Sequence, residues 1–133
     1  MKKDIADILC VDLEDWYNAN LACLPEGVQP ESRIEKNTDI LLELFEKYHV
    51  KATFFAVGEI AEKFPDMIKK IVLAGHEIGC HSNCHRLIYD LTPEEFRKDT
   101  RQAKATLESI INKPVETYRA PSWSITEKSF WAL

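Results

Sequence analysis

Short apolar runs alternate with longer helical patterns along the whole chain, and this alternation constrains the fold more than any other feature. Residues 8–11 (Ile-Leu-Cys-Val) form a continuous apolar tetrad that stops at Asp12, the pattern of a fully buried strand. Residues 51–57 are rich in aromatic and β-branched side chains and are closed by Gly58, so they also read as a strand. Residues 77–80 make a short third strand and residues 115–118 a fourth. Helical patterns lie between them. Ser32 and Glu35 have the spacing of a capping box, followed on one face by Ile34, Thr38, Leu41, Phe45 and Tyr48. Residues 59–74 are helical with an interruption near Pro65. Met67, Ile68, Ile71 and Val72 form the apolar face there, and Gly75 takes the C′ position. Thr92, Pro93 and Glu95 open a further helix as N-cap, N1 and N3. Phe96, Thr100, Ala103, Leu107 and Ile110 follow at helical spacing until Asn112-Lys113-Pro114 ends it. Residues 18–29, polar with Pro and Gly, read as an irregular loop, and Ser124 with Glu127 opens a last helix.

Four strand–helix units in succession imply parallel strands joined by right-handed crossovers. An open doubly wound sheet and a (β/α) barrel both satisfy that pattern. At about 33 residues per unit, a complete barrel needs roughly 200–250 residues. The 133 residues are therefore expected to be a single domain that carries the N-terminal half of a larger one. Its first and fourth strands would leave open edges, so self-association or dependence on a C-terminal half is expected.

Seventeen basic against 22 acidic residues leave a net charge of −5, with no dense Lys/Arg patch, which excludes nucleic acid as the main partner. No apolar run approaches the roughly 18 residues of a membrane span. The first residues, Met-Lys-Lys-Asp-Ile-Ala-Asp, carry acids where a signal peptide needs an apolar stretch. Cys10, Cys23, Cys80 and Cys84 are then expected as free thiols in a reducing, cytoplasmic setting.

In parallel α/β folds, ligands bind beyond the carboxyl ends of the strands. The chemically unusual residues of this chain fall there. Asp12-Leu-Glu14-Asp15-Trp16 follows the first strand, His81-Ser-Asn-Cys-His85 the third, and Arg119-Ala-Pro-Ser-Trp123 the fourth. A spacing of four lets His81 and His85 converge on one ion if the segment is a helical turn. Two histidines and one carboxylate leave coordination positions for water and substrate. Cys84 lies between them but points about 100° away on such a turn. Asp12, directly after a buried strand, needs a partner, either Arg119 or a metal. Trp16 and Trp123 serve either as core or as flat walls for a sugar ring. Cys10 and Cys80 are expected as small core residues, and His49 and His76 as capping or surface residues. No Gly-rich phosphate loop follows the first strand, which speaks against a flavodoxin-like nucleotide binder.

Taken together, Asp12-x-Glu14-Asp15-Trp16, Ala-Thr-Phe-Phe-Ala-Val-Gly at 52–58, Gly-His-Glu-Ile-Gly-Cys-His-Ser-x-x-His at 75–85 and Arg119-x-Pro121-x-Trp123 resemble the polysaccharide-deacetylase superfamily (NodB homology, carbohydrate esterase 4). The likeness runs from residue 8 to residue 133. The form of the first motif is closer to a branch with cytoplasmic peptidoglycan-deacetylase-like and allantoinase-like members. The resemblance implies a distorted (β/α)7–8 barrel. It makes Asp12 the general base, with Arg119 holding it in place. It makes His81, His85 and a carboxylate of the first motif the ligands of a divalent metal, usually zinc, with cobalt or nickel as alternatives. Alignment on Asp12 puts Glu14 in that set, with Asp15 as runner-up. Trp123 would line the acetyl pocket, and the catalytic acid would lie beyond residue 133. The implied activity is metal-dependent N-deacetylation of an amino sugar in a polysaccharide, lipopolysaccharide or peptidoglycan precursor. Hydrolysis of a small cyclic amide, as in allantoinase, and a non-catalytic carbohydrate-binding module are the alternatives.

Overall fold

The structure is a computed structural model that describes residues 7–18 and 30–133. Residues 19–29, which hold most of the expected loop and Cys23, lie outside the described residues. Three strands, β1 (Cys10–Leu13), β2 (Thr53–Ala56) and β3 (Glu77–Cys80), form a parallel sheet in the order β1-β2-β3. Their register pairs Val11 with Phe54 and Ile78, and Leu13 with Ala56 and Cys80. Between those rows lies a third, Asp12–Phe55–Gly79. Side chains alternate along a strand, so adjacent rows face opposite sides of the sheet. Leu13, Phe54, Ala56, Ile78 and Cys80 belong to the core packed under the helices. The Asp12 row faces the other way.

The helices are α1 (Ile34–Lys47), α2 (Gly58–Lys63), α3 (Pro65–Leu73) and α4 (Pro93–Ile111). Their buried faces carry Ile34, Leu42 and Phe45 from α1, Ile60 and Ala61 from α2, Met67, Ile68 and Ile71 from α3, and Ala103 and Leu107 from α4. Pro65 separates α2 from α3, as expected, because it lacks an N–H and suits the first position of a new helix. The capping box of α4 is present in both directions. Glu95 N–H donates to Thr92 Oγ1 at 3.2 Å, and Thr92 N–H donates to Glu95 Oε2 at 2.8 Å. Gly75 has φ +81° after α3, and Asn112 has φ 53° after α4, so both ends are closed by left-handed residues. No helix among the described residues is long and apolar enough to cross a membrane.

Several expectations are corrected. The first strand begins two residues later than its apolar run, leaving Ile8 83% exposed. Asp12 therefore lies within β1 rather than after it, and the strand is packed on one face only. In α1 it is Leu42 that is buried, while Tyr48 closes the helix and is exposed. Ser32 makes no cap, because its hydroxyl is engaged by Asp15. Residues 115–118 form a single parallel bridge, Tyr118 to Cys80, instead of a strand. The cause is local: Val115 N–H donates to Glu108 Oε1 (2.8 Å) and its carbonyl accepts from Lys104 Nζ (2.6 Å). With those groups taken by α4, pairing starts only at Thr117, whose carbonyl accepts from Cys80 N–H at 2.9 Å. The last helix is a 3-10 segment, Glu127–Ala132, capped by Thr126. Ser124 is instead buried, accepting from Ile88 N–H at 2.9 Å and donating to the Pro121 carbonyl at 2.5 Å.

His76 is also corrected, from a surface residue to a core one. Its ring sits edge-on to Phe45 and Phe54, and Nδ1 accepts from Ala52 N–H at 3.2 Å. That acceptor role requires a neutral ring. Burial, assisted by the nearby Lys51 charge, lowers its pKa below the ordinary value near 6.5. A base with a depressed folded pKa binds fewer protons folded than unfolded, so stability is full above about 6.5 and falls as the pH drops below it. The wild-type chain should accordingly lose more melting temperature between pH 7.5 and 5.5 than His76→Asn, which keeps an acceptor but does not titrate. Equal losses in a thermal melt of the two proteins would contradict this role.

Candidate metal centre and its carboxylate–arginine neighbour

The segment after β3 presents two histidines, although not on a helical turn. His81 extends the ladder, its N–H donating to the Ala56 carbonyl at 2.9 Å. The chain then turns through left-handed conformations at Ser82 (φ 63°) and His85 (φ 55°). Ser82 Oγ accepts from His85 N–H at 2.8 Å, which closes the turn. The carbonyls of Ser82 and Asn83 accept from Gly58 N–H and Glu59 N–H, both at 3.0 Å, and so satisfy the start of α2. Convergence of the imidazoles comes from this clamped loop. Their ring centroids are 5.0 Å apart, and both residues are buried.

His81 Nδ1–H donates to the Arg119 carbonyl at 2.8 Å, which fixes the tautomer and leaves Nε2 as a free acceptor. Burial lowers the His81 pKa against the opposing pulls of that carbonyl and of Asp12, so a neutral lone pair is available. Glu14 arrives from the end of β1, with Oε2 2.5 Å from His85 Nε2. Its ligand atom and those of the two histidines all lie within 4.8 Å of one another. The Glu14–His85 alignment is not that of a hydrogen bond, and Glu14 Oε2 is buried without such a partner among the described residues. Burial alone would raise the Glu14 pKa, yet the adjoining His85 and, beyond it, His81 outweigh it and hold it below its ordinary value. A carboxylate and two imidazoles with converging ligand atoms fit a divalent cation of the zinc class.

Beside this cluster, Arg119 Nη1 donates to Asp12 Oδ1 at 2.9 Å, the partnership expected for both residues. The Arg119 guanidinium also lies 4.4 Å from the centroid of Phe55. Phe55 can lie there because its register neighbour is Gly79: a Cβ on Gly79 would come within 2.6 Å of the Phe55 ring. Asp12, Phe55, Gly79 and Arg119 thus form one stack, in which a cation over an aromatic face adds about 0.5–2 kcal/mol to the ion pair. The sequence reading missed Phe55 and Gly79, because register is invisible without strand pairing.

Asp15 points away from the histidines. Only 2% exposed, it accepts from Ser32 Oγ at 2.5 Å, Trp16 N–H at 3.0 Å and Arg33 N–H at 3.2 Å, and so anchors the entry to α1. Trp16 and Trp123 are 46% and 91% exposed, which overturns the core reading for both. Trp16 Nε1–H donates to the Glu31 carbonyl at 3.1 Å. Cys84 is exposed outside the cluster, and Cys10, Cys80 and Cys84 are free thiols.

The polysaccharide deacetylase family matches residues 26–133. A peptidoglycan-N-acetylglucosamine deacetylase of Bacillus cereus is 33% identical over 96 residues, which cover 71% of this chain and 35% of that protein. A peptidoglycan deacetylase of Helicobacter pylori is 34% identical over 86 residues, 65% of this chain and 29% of that protein. The chain therefore spans about a third of the length of these curated relatives. Among solved structures, a CE4-family pseudoenzyme from Bacillus anthracis superposes with a TM-score of 0.73 at 25% identity, covering 94% of this chain and 38% of that one. The strand–helix order of this chain is thus that of part of the deacetylase fold.

The placement of Asp15 away from the histidines predicts a loss of stability without a loss of metal affinity. Asp15→Ala should cost about 1–3 kcal/mol in denaturant unfolding, because it leaves the half-buried Ser32 hydroxyl and the Trp16 and Arg33 N–H groups without their acceptor. Its affinity for zinc should stay within a few-fold of wild type. A variant that unfolds normally but no longer binds zinc would contradict the assignment.

Proposed function

The chain belongs to the polysaccharide deacetylase family, and on that premise we propose that it hydrolyses N-acetyl groups from amino sugars of a bacterial-type glycan with the help of a divalent metal. The observation that carries this reading is the Glu14–His81–His85 cluster beside the Asp12–Arg119 pair. Glu14 Oε2, His81 Nε2 and His85 Nε2 would hold the ion, most simply zinc. When bound, it supplies Lewis-acid polarisation of an amide carbonyl and makes water a stronger acid.

The rest follows from the residues of the chain. Asp12, a carboxylate with one oxygen held by Arg119, accepts the proton that water loses as it adds to the acetyl carbon, and that proton is then available to the amine that leaves as the C–N bond breaks. Arg119 fixes the orientation of that carboxylate, and Phe55 fixes Arg119. Separate jobs for Asp12 and Glu14 follow from their contacts, one on a guanidinium and the other on imidazole. Trp16 and Trp123, exposed on the segments that carry Glu14 and Arg119, offer flat faces for sugar rings. The relatives named for peptidoglycan support an N-acetylglucosamine-containing substrate. The free thiols fit a cytoplasmic setting, which is part of the same proposal.

Acetate release from N-acetylglucosamine oligomers by the zinc-loaded protein tests the reaction class. Asp12→Asn should lower that rate by about 10²–10⁴-fold, the usual worth of a general base, while zinc content stays at the wild-type level. Ring opening of allantoin without acetate release would instead favour the cyclic-amide hydrolase. Loss of zinc from Asp12→Asn would make Asp12 a ligand and overturn the division of roles.

A further inference from the structure

One carboxylate near the site has no part in the scheme above. Asp99 lies in the first half of α4, on the face that also carries Phe96 and Ala103, and it is half-buried. It sits one helical turn before Ala103, which packs against Gly58 at the start of α2. Its Oδ2 accepts from Asn83 N–H at 2.8 Å, and its Oδ1 accepts from Cys84 Sγ–H at 3.5 Å. Both donors belong to the loop between His81 and His85. The side chain therefore grips the centre of the histidine loop without touching the Glu14–His81–His85 cluster.

The loop needs such a grip. Its left-handed residues, Ser82 and His85, are not glycine, and a side chain in that conformation persists only where the surroundings over-determine it. Two of its carbonyls are held by α2 and its last N–H by Ser82 Oγ. The Asn83 N–H, directly after the first of the two left-handed residues, is held by Asp99 alone among the described contacts. Gly58 leaves the notch in which this part of the loop sits, since a Cβ there would collide with Asn83 Oδ1. A charged acceptor on a rigid 19-residue helix is well suited to fixing backbone at this point.

We propose that Asp99 is a positioning residue of the metal centre, holding the left-handed loop so that His81 and His85 present their free nitrogens to one ion. The inference rests on the metal reading of that cluster. It predicts behaviour that a residue merely filling space on α4 would not show. What matters is an acceptor at Oδ2, so Asp99→Asn keeps the function and Asp99→Ala loses it. Outer groups that orient metal ligands typically account for 10- to 100-fold in affinity.

The test is zinc affinity of the whole chain, measured by competition with a chromophoric chelator, alongside the visible spectrum of the cobalt(II) form. Asp99→Ala should bind zinc roughly 10- to 100-fold more weakly and show an altered cobalt spectrum, with far-UV circular dichroism unchanged. Asp99→Asn should stay within about threefold of wild type, because its side-chain oxygen still accepts from Asn83 N–H. Lys98→Ala, at the neighbouring position of α4, serves as a control that should bind like wild type. Wild-type affinity in Asp99→Ala overturns the inference, as does an Asp99→Asn variant as weak as Asp99→Ala. If Asp99→Ala fails to fold, Asp99→Leu, which fills the same space without an acceptor, takes its place with the same expected loss and the same overturning result. A wild-type chain that binds no ion overturns the metal centre itself, an outcome distinct from either of these.

Discussion

His81 and His85 are buried and Glu14 is half-buried beside them, and Glu14 Oε2 has no hydrogen-bond partner among the described residues. Withdrawing a carboxylate from water is unfavourable, and here the neighbouring imidazoles outweigh that cost and keep Glu14 ionised. A cation on the converging lone pairs would turn this cost into a binding site. Much of the surrounding architecture can be understood as support for it. The sheet brings the end of β1 and the end of β3 to the same side. The Arg119 carbonyl orients His81, while α2 and Ser82 hold the turn that brings His85 back.

The sheet also separates support from chemistry. One face, through Leu13, Phe54, Ala56, Ile78 and Cys80, packs on the helices and carries the hydrophobic stabilisation. The other face carries the Asp12–Phe55–Gly79 row, on which Arg119 rests. The alternation continues past the end of β1. Asp12 and Glu14 reach the site, whereas Leu13 enters the core and Asp15 anchors α1. Adjacent acids thus do different work because consecutive side chains point to opposite faces.

Much of this was legible in the sequence. The order of strands and helices, the Pro65 break, the Thr92 capping box and the Gly75 end are all set by local chemistry, which a sequence displays directly. A carboxylate at a strand end needs a partner, which left Arg119 or a metal open for Asp12, and the family resemblance pointed to Arg119. What escaped depended on tertiary context. Residues 115–118 have strand composition, but Lys104 and Glu108 of α4 claim the backbone of Val115. His76 sits after a turn glycine, yet two phenylalanines enclose it. Ser32 has the spacing of a cap, but a carboxylate 17 residues away takes its hydroxyl. The spacing of His81 and His85 suits a helical turn, yet their convergence comes from left-handed turns and not from helical periodicity. An acid on the apolar side of α4, Asp99, was a visible signal whose meaning needed the loop beside it.

The central claim is that Glu14, rather than Asp15, completes a metal site with His81 and His85. Anomalous diffraction at the zinc absorption edge, from crystals of the chain grown with equimolar zinc, tests it most directly. The account predicts one strong anomalous peak bonded to a Glu14 carboxylate oxygen and to Nε2 of both histidines, with Asp15 still bound to Ser32 and Arg33. A peak on Asp15, or no peak between the two imidazoles, would contradict it.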